Sequence, residues 1–319
     1  MAVGEIELIR RYFAELTPSR GDVMLGVGDD AALLQVPAGQ ELAVSTDALI
    51  EGVHFPEGAD AFDVGFKSLA VNLSDMAAMG AEPRWATLVL TLPAADEQWL
   101  DGFARGFREI AAEFGIALVG GDLSAGPLGV TVQIMGVVPA GAALRRDRAR
   151  AGDGVYVTGE LGGAAFALDR LARNAGEVPA ECLQRLRRPQ PRVAAGLRLR
   201  GIAQSAIDVS DGLFLDLARI AEASRVGADI DLVRVPLCSA VAAIADCAER
   251  LQLGLGTGDD YELCFTVPSG RESQLAGFAD RAGVAVTRIG VMAAGGRVRW
   301  LLEDGSEFLP DATAGYQHF

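Results

Sequence analysis

Lysine is all but missing from this sequence: of its 28 basic residues only Lys67 is a lysine, and the rest are arginines. Chemistry that needs an amine therefore has one source, while anion recognition falls to guanidinium forks, which suit phosphate and carboxylate. Histidine is nearly as scarce, with His54 and His318 alone. The four cysteines, Cys182, Cys238, Cys247 and Cys264, stand far apart without a Cys-x-x-Cys pair. Scattered in this way, they offer no closely spaced set that reads as a zinc site. The cysteines are expected to be buried thiols of a reducing compartment, the cytoplasm. No apolar run approaches the roughly 18 residues that a membrane span needs, and the chain opens on Glu5 and Glu7 where a leader would be apolar, so neither spanning nor secretion is expected. Positive charge is short as well. With 43 acidic residues the net charge is −15, which repels nucleic acid and anionic membranes and leaves room only for a local basic pocket.

What the sequence has instead is carboxylates at the ends of short apolar runs. Gly26-Val27-Gly28-Asp29-Asp30 follows an extended segment beginning at Val23, and Ser45-Thr46-Asp47 follows another from Glu41; both read as strands with polar tips. Adjacent aspartates repel unless a cation or a ring of donors offsets them, and oxygen ligands without His or Cys point to Mg2+, Mn2+ or Ca2+. The plainer alternative is an Asx-rich turn in water. Further along, Ile116 to Val119 ends in Gly120-Gly121-Asp122, and Ala206 to Val209 ends in Asp208-Val209-Ser210-Asp211-Gly212. An aspartate capping the following helix would explain Asp211 without a metal.

The segments between these tips are helical. Glu5 to Leu16 has surface-helix spacing, with Ile6, Ile9 and Phe13 on one side. From Asp63 to Gly80, Ser68, Asn72 and Asp75 put a polar stripe on an otherwise apolar helix, and buried amides and carboxylates need partners, from the backbone or from the same cation site. Asp96 to Phe114 is a third helix. The run Val130 to Val138 is expected to be a strand buried on both faces or sitting in an interface.

At 319 residues the chain is long enough for two domains of about 150 residues. The first is expected to close near Pro139, giving domains 1–139 and 140–319. Beyond it Arg145, Arg146, Arg148 and Arg150 crowd a loop, which is either a phosphate clamp or a solvated, salt-bridged face. Gly159, Gly162 and Gly163 follow a strand but match neither G-x-G-x-x-G nor the Walker pattern. Helices are expected from Pro179 to Pro191, Leu237 to Glu249 and Arg271 to Ala282. A second Gly258-Asp259-Asp260 precedes Glu262 and a strand ending at Val267. Alternating strands and helices in both halves make the class α+β or α/β. Carboxylates from so many elements call for several divalent cations, and phosphoryl transfer is the function that uses them. A non-enzymatic divalent-cation module would want one compact Asp-x-Asp-x-Asp-Gly loop, and there is none.

Gly28-Asp29-Asp30-Ala31-Ala32, Glu51-Gly52-Val53-His54-Phe55, Asn72-Leu73-Ser74-Asp75, Gly120-Gly121-Asp122, Asp208-Val209-Ser210-Asp211-Gly212, Gly258-Asp259-Asp260-Tyr261-Glu262 and Gly315-Tyr316-Gln317-His318-Phe319 together resemble the thiamine-monophosphate kinase family, of the aminoimidazole ribonucleotide synthetase-like superfamily. The resemblance implies an N-terminal sheet domain that pairs with its twin into a barrel-like homodimeric core, and a C-terminal α/β domain. It implies ATP-dependent phosphorylation of thiamine monophosphate to thiamine diphosphate; a synthetase-like ATP-dependent cyclo-ligase is the alternative. By position it makes Asp30, Ser45, Thr46, Asp47, Asp75, Asp122, Asp208 and Asp211 ligands of several Mg2+ ions, assisted by Asp29. Of these, Asp30, Asp47, Asp75, Asp122 and Asp208 would carry catalysis. Gly121, Asp122, Arg146 and Ser210 would contact ATP, and His54, Glu262, Tyr316 and Phe319 thiamine monophosphate. Where many relatives carry Phe-Tyr-x-Gly near the adenine, this chain has Phe103-Ala104-Arg105-Gly106, which leaves nucleotide preference open.

Overall fold

The computed structural model describes residues 4–311 and 315–316. It divides into two compact units, Met1–Met76 with Ala81–Gly141, and Ala77–Gly80 with Ala142–Phe319.

The first unit contains α1 (Glu5–Tyr12), the paired short strands β1 (Val23–Leu25) and β2 (Leu33–Leu34), β3 (Gln40–Ile50), α2 (Ala61–Ala78), β4 (Glu82–Leu92), α3 (Glu97–Phe114), β5 (Ala117–Ala125) and β6 (Gly129–Pro139). The four long strands form a sheet in the order β3-β6-β4-β5. Only β4 and β5, which α3 connects, run parallel. Helix α3 begins where its sequence says it should: the Asp96 side chain accepts from the Gln98 and Trp99 amides, and Gly115 ends it in the left-handed conformation. Helix α1 stops four residues before the expected Leu16, and Ile6 is 68% exposed while Leu8 and Tyr12 turn inward.

Helices α2 and α3 touch backbone to backbone. A Cβ on Gly65 would stand 2.1 Å from the Phe103 carbonyl oxygen, and one on Gly106 would stand 2.0 Å from that of Phe62. Phe103 and Ala104 are 0% and 3% exposed inside the helix pair, so Gly106 serves close packing. Ahead of the sheet, Asp22 is clamped by Arg20 Nε and Nη2 at 2.9 Å each, Arg84 Nη1 at 3.0 Å and Trp85 Nε1 at 3.1 Å. The Arg20 hydrogen bonds, joined by those of Trp85 and the charge of Arg84, hold its carboxyl down at about 2.

The second unit follows an exposed 3-10 turn at Arg146–Arg148. Its elements are β7 (Gly154–Thr158), α4 (Gly163–Ala172), α5 (Ala180–Arg187), α6 (Val193–Leu199), β8 (Ser205–Val209), α7 (Leu213–Ser224), β9 (Gly227–Asp231), α8 (Ser239–Ala242), α9 (Cys247–Gly256), β10 (Glu262–Val267), α10 (Phe278–Ala282), β11 (Val286–Ala293), β12 (Val298–Leu301) and β13 (Glu307–Phe308). The seven-stranded sheet has the order β13-β12-β9-β11-β7-β10-β8, antiparallel except for β9 with β12. Leu213, Leu217 and Ile220 of α7 share its core with Val155, Val157, Ile207 and Val209, each worth about 2 kcal/mol when buried. Phe214 meets Trp300 edge to face at 4.7 Å. The expected Leu237–Glu249 helix is two: α8 ends at Ala242, and Asp246 starts α9 by accepting from the Glu249 amide. The expected Arg271–Ala282 helix shrinks to α10 because Gly277 interrupts it in the left-handed conformation. Three cysteines are buried, but Cys247, at the start of α9, is exposed.

Candidate functional site

Within the first unit, Ser45, Thr46 and Asp47 lie in the middle of β3 and Asp122 in the middle of β5, not at strand tips. Polar residues interrupt these strands without ending them, because the backbone ladder to β6 and β4 continues past them. The register settles how they face. Asp47 is paired with Val132, Val132 with Leu88 and Leu88 with Gly121. Ala48, Thr131, Val89 and Asp122 form the next row. Paired residues share a face and neighbours along a strand alternate, so Asp47 shares the face of buried Val132 and Leu88, while Asp122 shares that of half-exposed Val89.

On the Asp47 face, the Ser45 hydroxyl donates to Asp75 Oδ2 at 2.5 Å, joining β3 to α2. The neighbouring Asn72 gives its amide nitrogen to the Ser68 carbonyl at 2.9 Å, so the backbone supplies one of its partners. Asp29 caps its own turn, accepting the Asp30 amide at 2.8 Å, with both side chains exposed. Gly121 has a packing reason of its own: a Cβ there would stand 1.8 Å from the Leu88 carbonyl oxygen. Beside Gly121 and Asp122 an apolar hollow is lined by Ile9, Phe13, Val27 and Leu118. The Ile50 amide donates to His54 Nδ1 at 3.0 Å, which assigns the imidazole proton to Nε2.

In the second unit Asp208 is buried on β8, and the turn after it is held through its backbone. The Ser210 and Asp211 amides donate to Asp216 Oδ2 at 3.1 and 3.0 Å. The carbonyls of Val209, Ser210 and Asp211 accept from the amides of Tyr261, Asp259 and Tyr316. Asp259 and Tyr261 take positive φ angles of 65° and 54°, a strain of about 1–3 kcal/mol apiece that these hydrogen bonds hold in place. Asp211 is not the cap of α7. Gly212 occupies that position without a side chain, and the Asp211 carboxylate pairs with Arg219 Nη1. Burial, and then the charge of Asp211, push the Asp216 carboxyl up to about 6.

Glu262 is 1% exposed, and Thr158 Oγ1 donates to it at 2.6 Å while Arg192 grips it with Nε and Nη2 at 2.7 and 2.5 Å. Asp260 Oδ1 accepts the Gly162 amide at 2.7 Å, and burial raises its carboxyl well above the usual range. Arg146 has an exposed side chain, while its carbonyl accepts from Ser205 and Ser224. Its neighbour Arg145 pairs with Asp147. Tyr316 is 40% exposed; Phe319 lies outside the described residues. Among the described residues no three His, Cys, Asp or Glu side chains stand together as a metal cluster. The candidate ligands occur as hydrogen-bonded pairs and short turns, and their donors are all oxygen, which fits Mg2+. Asp216, Arg219 and Arg192 were missed from sequence, although Asp216 and Arg219 stand at the helical i, i+3 spacing of a salt bridge.

The family profile for AIR synthase related protein, N-terminal domain, matches residues 28–138, and that for the C-terminal domain matches residues 150–302. Thiamine-monophosphate kinase of Escherichia coli K12 is 45% identical over 323 residues, spanning all of this chain and 99% of that protein. The chain belongs to the thiamine-monophosphate kinase family. A crystal structure of the Stenotrophomonas maltophilia member of this kinase family is 46% identical, with a TM-score of 0.87 over 97% of this chain and 99% of that one. AaThiL complexed with AMPPCP and TMP aligns at 29% identity and a TM-score of 0.78, covering 89% of each chain. Hydrogenase maturation protein HypE, at 21% identity and a TM-score of 0.79, shares the fold with the kinase family.

Proposed function

We propose that the chain transfers the γ-phosphoryl group of ATP to thiamine monophosphate, releasing thiamine diphosphate and ADP. The observation that carries this reading is the backbone-pinned turn from Asp208 to Asp211, which presents carboxylates and the Ser210 hydroxyl on a fixed frame in a chain of this kinase family. Asp30, Ser45, Thr46, Asp47, Asp75, Asp122, Asp208 and Asp211, with Asp29 assisting, would hold several Mg2+ ions. When bound, Mg2+ supplies the charge that offsets the phosphate oxygens during transfer. Because the Ser210 amide is committed to Asp216, its hydroxyl is the group left for ATP. Gly121, Asp122 and Arg146 complete the nucleotide contacts, and the apolar hollow beside Gly121 suits a base.

On the acceptor side, His54 Nε2–H can donate to a phosphate, and the Tyr316 ring can face the cationic thiazolium. Phe319 belongs to the same proposal. Glu262, with its carboxylate taken, would act through the Arg192 fork that it orients. Transfer is direct. The Cys182 thiol, pushed up to about 12 by burial, is a poor nucleophile.

The reading includes a cytoplasmic homodimer. Leu42, Val44 and Ile50, 48%, 51% and 46% exposed, form an apolar row on the β3 edge of the sheet, which a second copy's sheet would cover. Three strand spacings, about 14 Å, separate β3 from β5, so one cation cannot bridge Asp47 and Asp122 of a single chain. Incubation with ATP, Mg2+ and either thiamine monophosphate or formylglycinamidine ribonucleotide, with the products identified, tests the reading. Thiamine diphosphate is expected from the first mixture, and turnover of the second alone would overturn it. Light scattering on the purified chain tests the dimer.

A further inference from the structure

Arg219 contacts two carboxylates through one nitrogen. Its Nη1 lies 2.5 Å from Asp211 Oδ2 and 2.7 Å from Asp216 Oδ1. Asp216 is wholly buried in the first turns of α7, and its other oxygen receives the Ser210 and Asp211 amides. Two carboxylates, those of Asp211 and Asp216, thus share one guanidinium at the turn that follows Asp208. The grip on Asp211 differs from the chain's locked pairs. Arg192 holds Glu262, and Arg299 holds Asp229, each through two nitrogens, whereas Asp211 receives a single shared contact with both side chains partly open to water, at 24% and 37%. A two-pronged fork resists exchange, and a one-pronged, half-solvated contact yields to a stronger counter-ion.

We propose that Asp216 and Arg219 are positioning residues of the acidic turn: Asp216 fixes its backbone, and Arg219 is a stand-in counter-ion that holds the Asp211 carboxylate in place until a divalent cation displaces it. The proposal rests on the reading that Asp211 takes a cation. Without Arg219, the Asp211 carboxylate would lose its ion-pair partner and its fixed place whenever the cation left. With it, the empty turn keeps the loaded backbone, because Asp216 retains Arg219 after Asp211 lets go. Asp216 is never itself a ligand in this scheme, since its oxygens face the two amides and the guanidinium.

Mn2+ titrated into the full chain without nucleotide, and followed by the loss of free-ion spin resonance, tests this apart from turnover. Arg219→Gln removes the competitor and is expected to bind Mn2+ about fivefold tighter, the scale of one half-exposed ion pair. Arg219→Lys keeps the charge and is expected to stay near the parent. Asp216→Asn loosens the frame and is expected to raise the half-saturating Mg2+ concentration by a larger factor than it lowers kcat. Folded Arg219→Gln that binds Mn2+ no tighter than the parent overturns the stand-in role. If Arg219→Gln does not fold, Arg219→Lys decides, because a compact ammonium that raised Mn2+ affinity as a truncation would do contradicts a charge-based hold. Asp211→Asn separates the two levels of the argument: unchanged Mn2+ binding there would sink the cation reading of Asp211, whereas weakened binding there with no gain in Arg219→Gln would sink only the stand-in.

Discussion

Asp47 and Asp122 stand on opposite edges and opposite faces of the same four-stranded sheet. The first shares its face with Ser45, and so with the Ser45–Asp75 hydrogen bond that ties β3 to α2; the second lies on the more open face with Val89. Residues that a common reaction would use are thus dispersed by the pleat, and their separate roles can be tested one at a time.

Asp75→Asn keeps an acceptor for the Ser45 hydroxyl while removing the charge. Its fold should survive, and turnover is expected to fall by at least about a hundredfold, because charge neutralisation acts where transition-state charge develops. Steady-state kinetics at saturating Mg2+, together with circular dichroism, check this. Near-normal turnover would take Asp75 out of the cation site.

Arg146→Lys is expected to weaken ATP use, since an ammonium cannot reproduce a two-pronged contact. The Arg146 backbone is anchored through its carbonyl by the Ser205 and Ser224 hydroxyls, so the substitution tests recognition by the side chain and leaves the loop alone. An unchanged ATP half-saturation and rate would make it a solvated face.

Tyr316→Leu is expected to raise the half-saturating concentration of thiamine monophosphate severalfold, the scale of one lost cation–π contact, with ATP little affected. The backbone hydrogen bonds from Gly315 to Gly256 and from Tyr316 to Asp211 remain in this variant. Equal losses toward both substrates would show that the ring only braces the acidic turn.

Asp22 predicts a pH dependence of stability. Its folded pKa of about 2 lies below the ordinary 3.8, so its contribution is complete above the unfolded value and disappears as pH falls through the folded one. Asp22→Asn should therefore cost about 2 kcal/mol at neutral pH, and about half of that gap should remain at pH 3. Urea unfolding of both proteins at pH 7 and pH 3 measures it. A gap that does not shrink in acid would mean that the loss is one of packing.

The fold and the site were legible in the sequence to different depths. Helix α3 could be read almost to the residue because Asp96 and Gly115 are local signals. The long strands were read too short, since Ser45-Thr46-Asp47 and Gly120-Gly121-Asp122 look like stops. Only pairing with β6 and β4 shows that they are not. The acidic turn at Asp208 was visible as a motif. That its amides belong to Asp216 depends on a side chain folding back over the start of α7, and spacing alone does not reveal this. Glu262 is assigned to thiamine monophosphate by resemblance alone; that Arg192, 70 residues away, holds it in a buried ion pair is a long-range pairing that spacing does not reveal.

Lys67, the lone lysine, is 6% exposed within α2. The cationic groups on this protein's surface are therefore guanidinium, which keeps its proton throughout the physiological range. Acylating enzymes and amine-directed cross-linkers find no lysine target there. Adjustment of surface charge thus does not fall to amines of lysine, and a change in divalent-ion supply registers on the carboxylates.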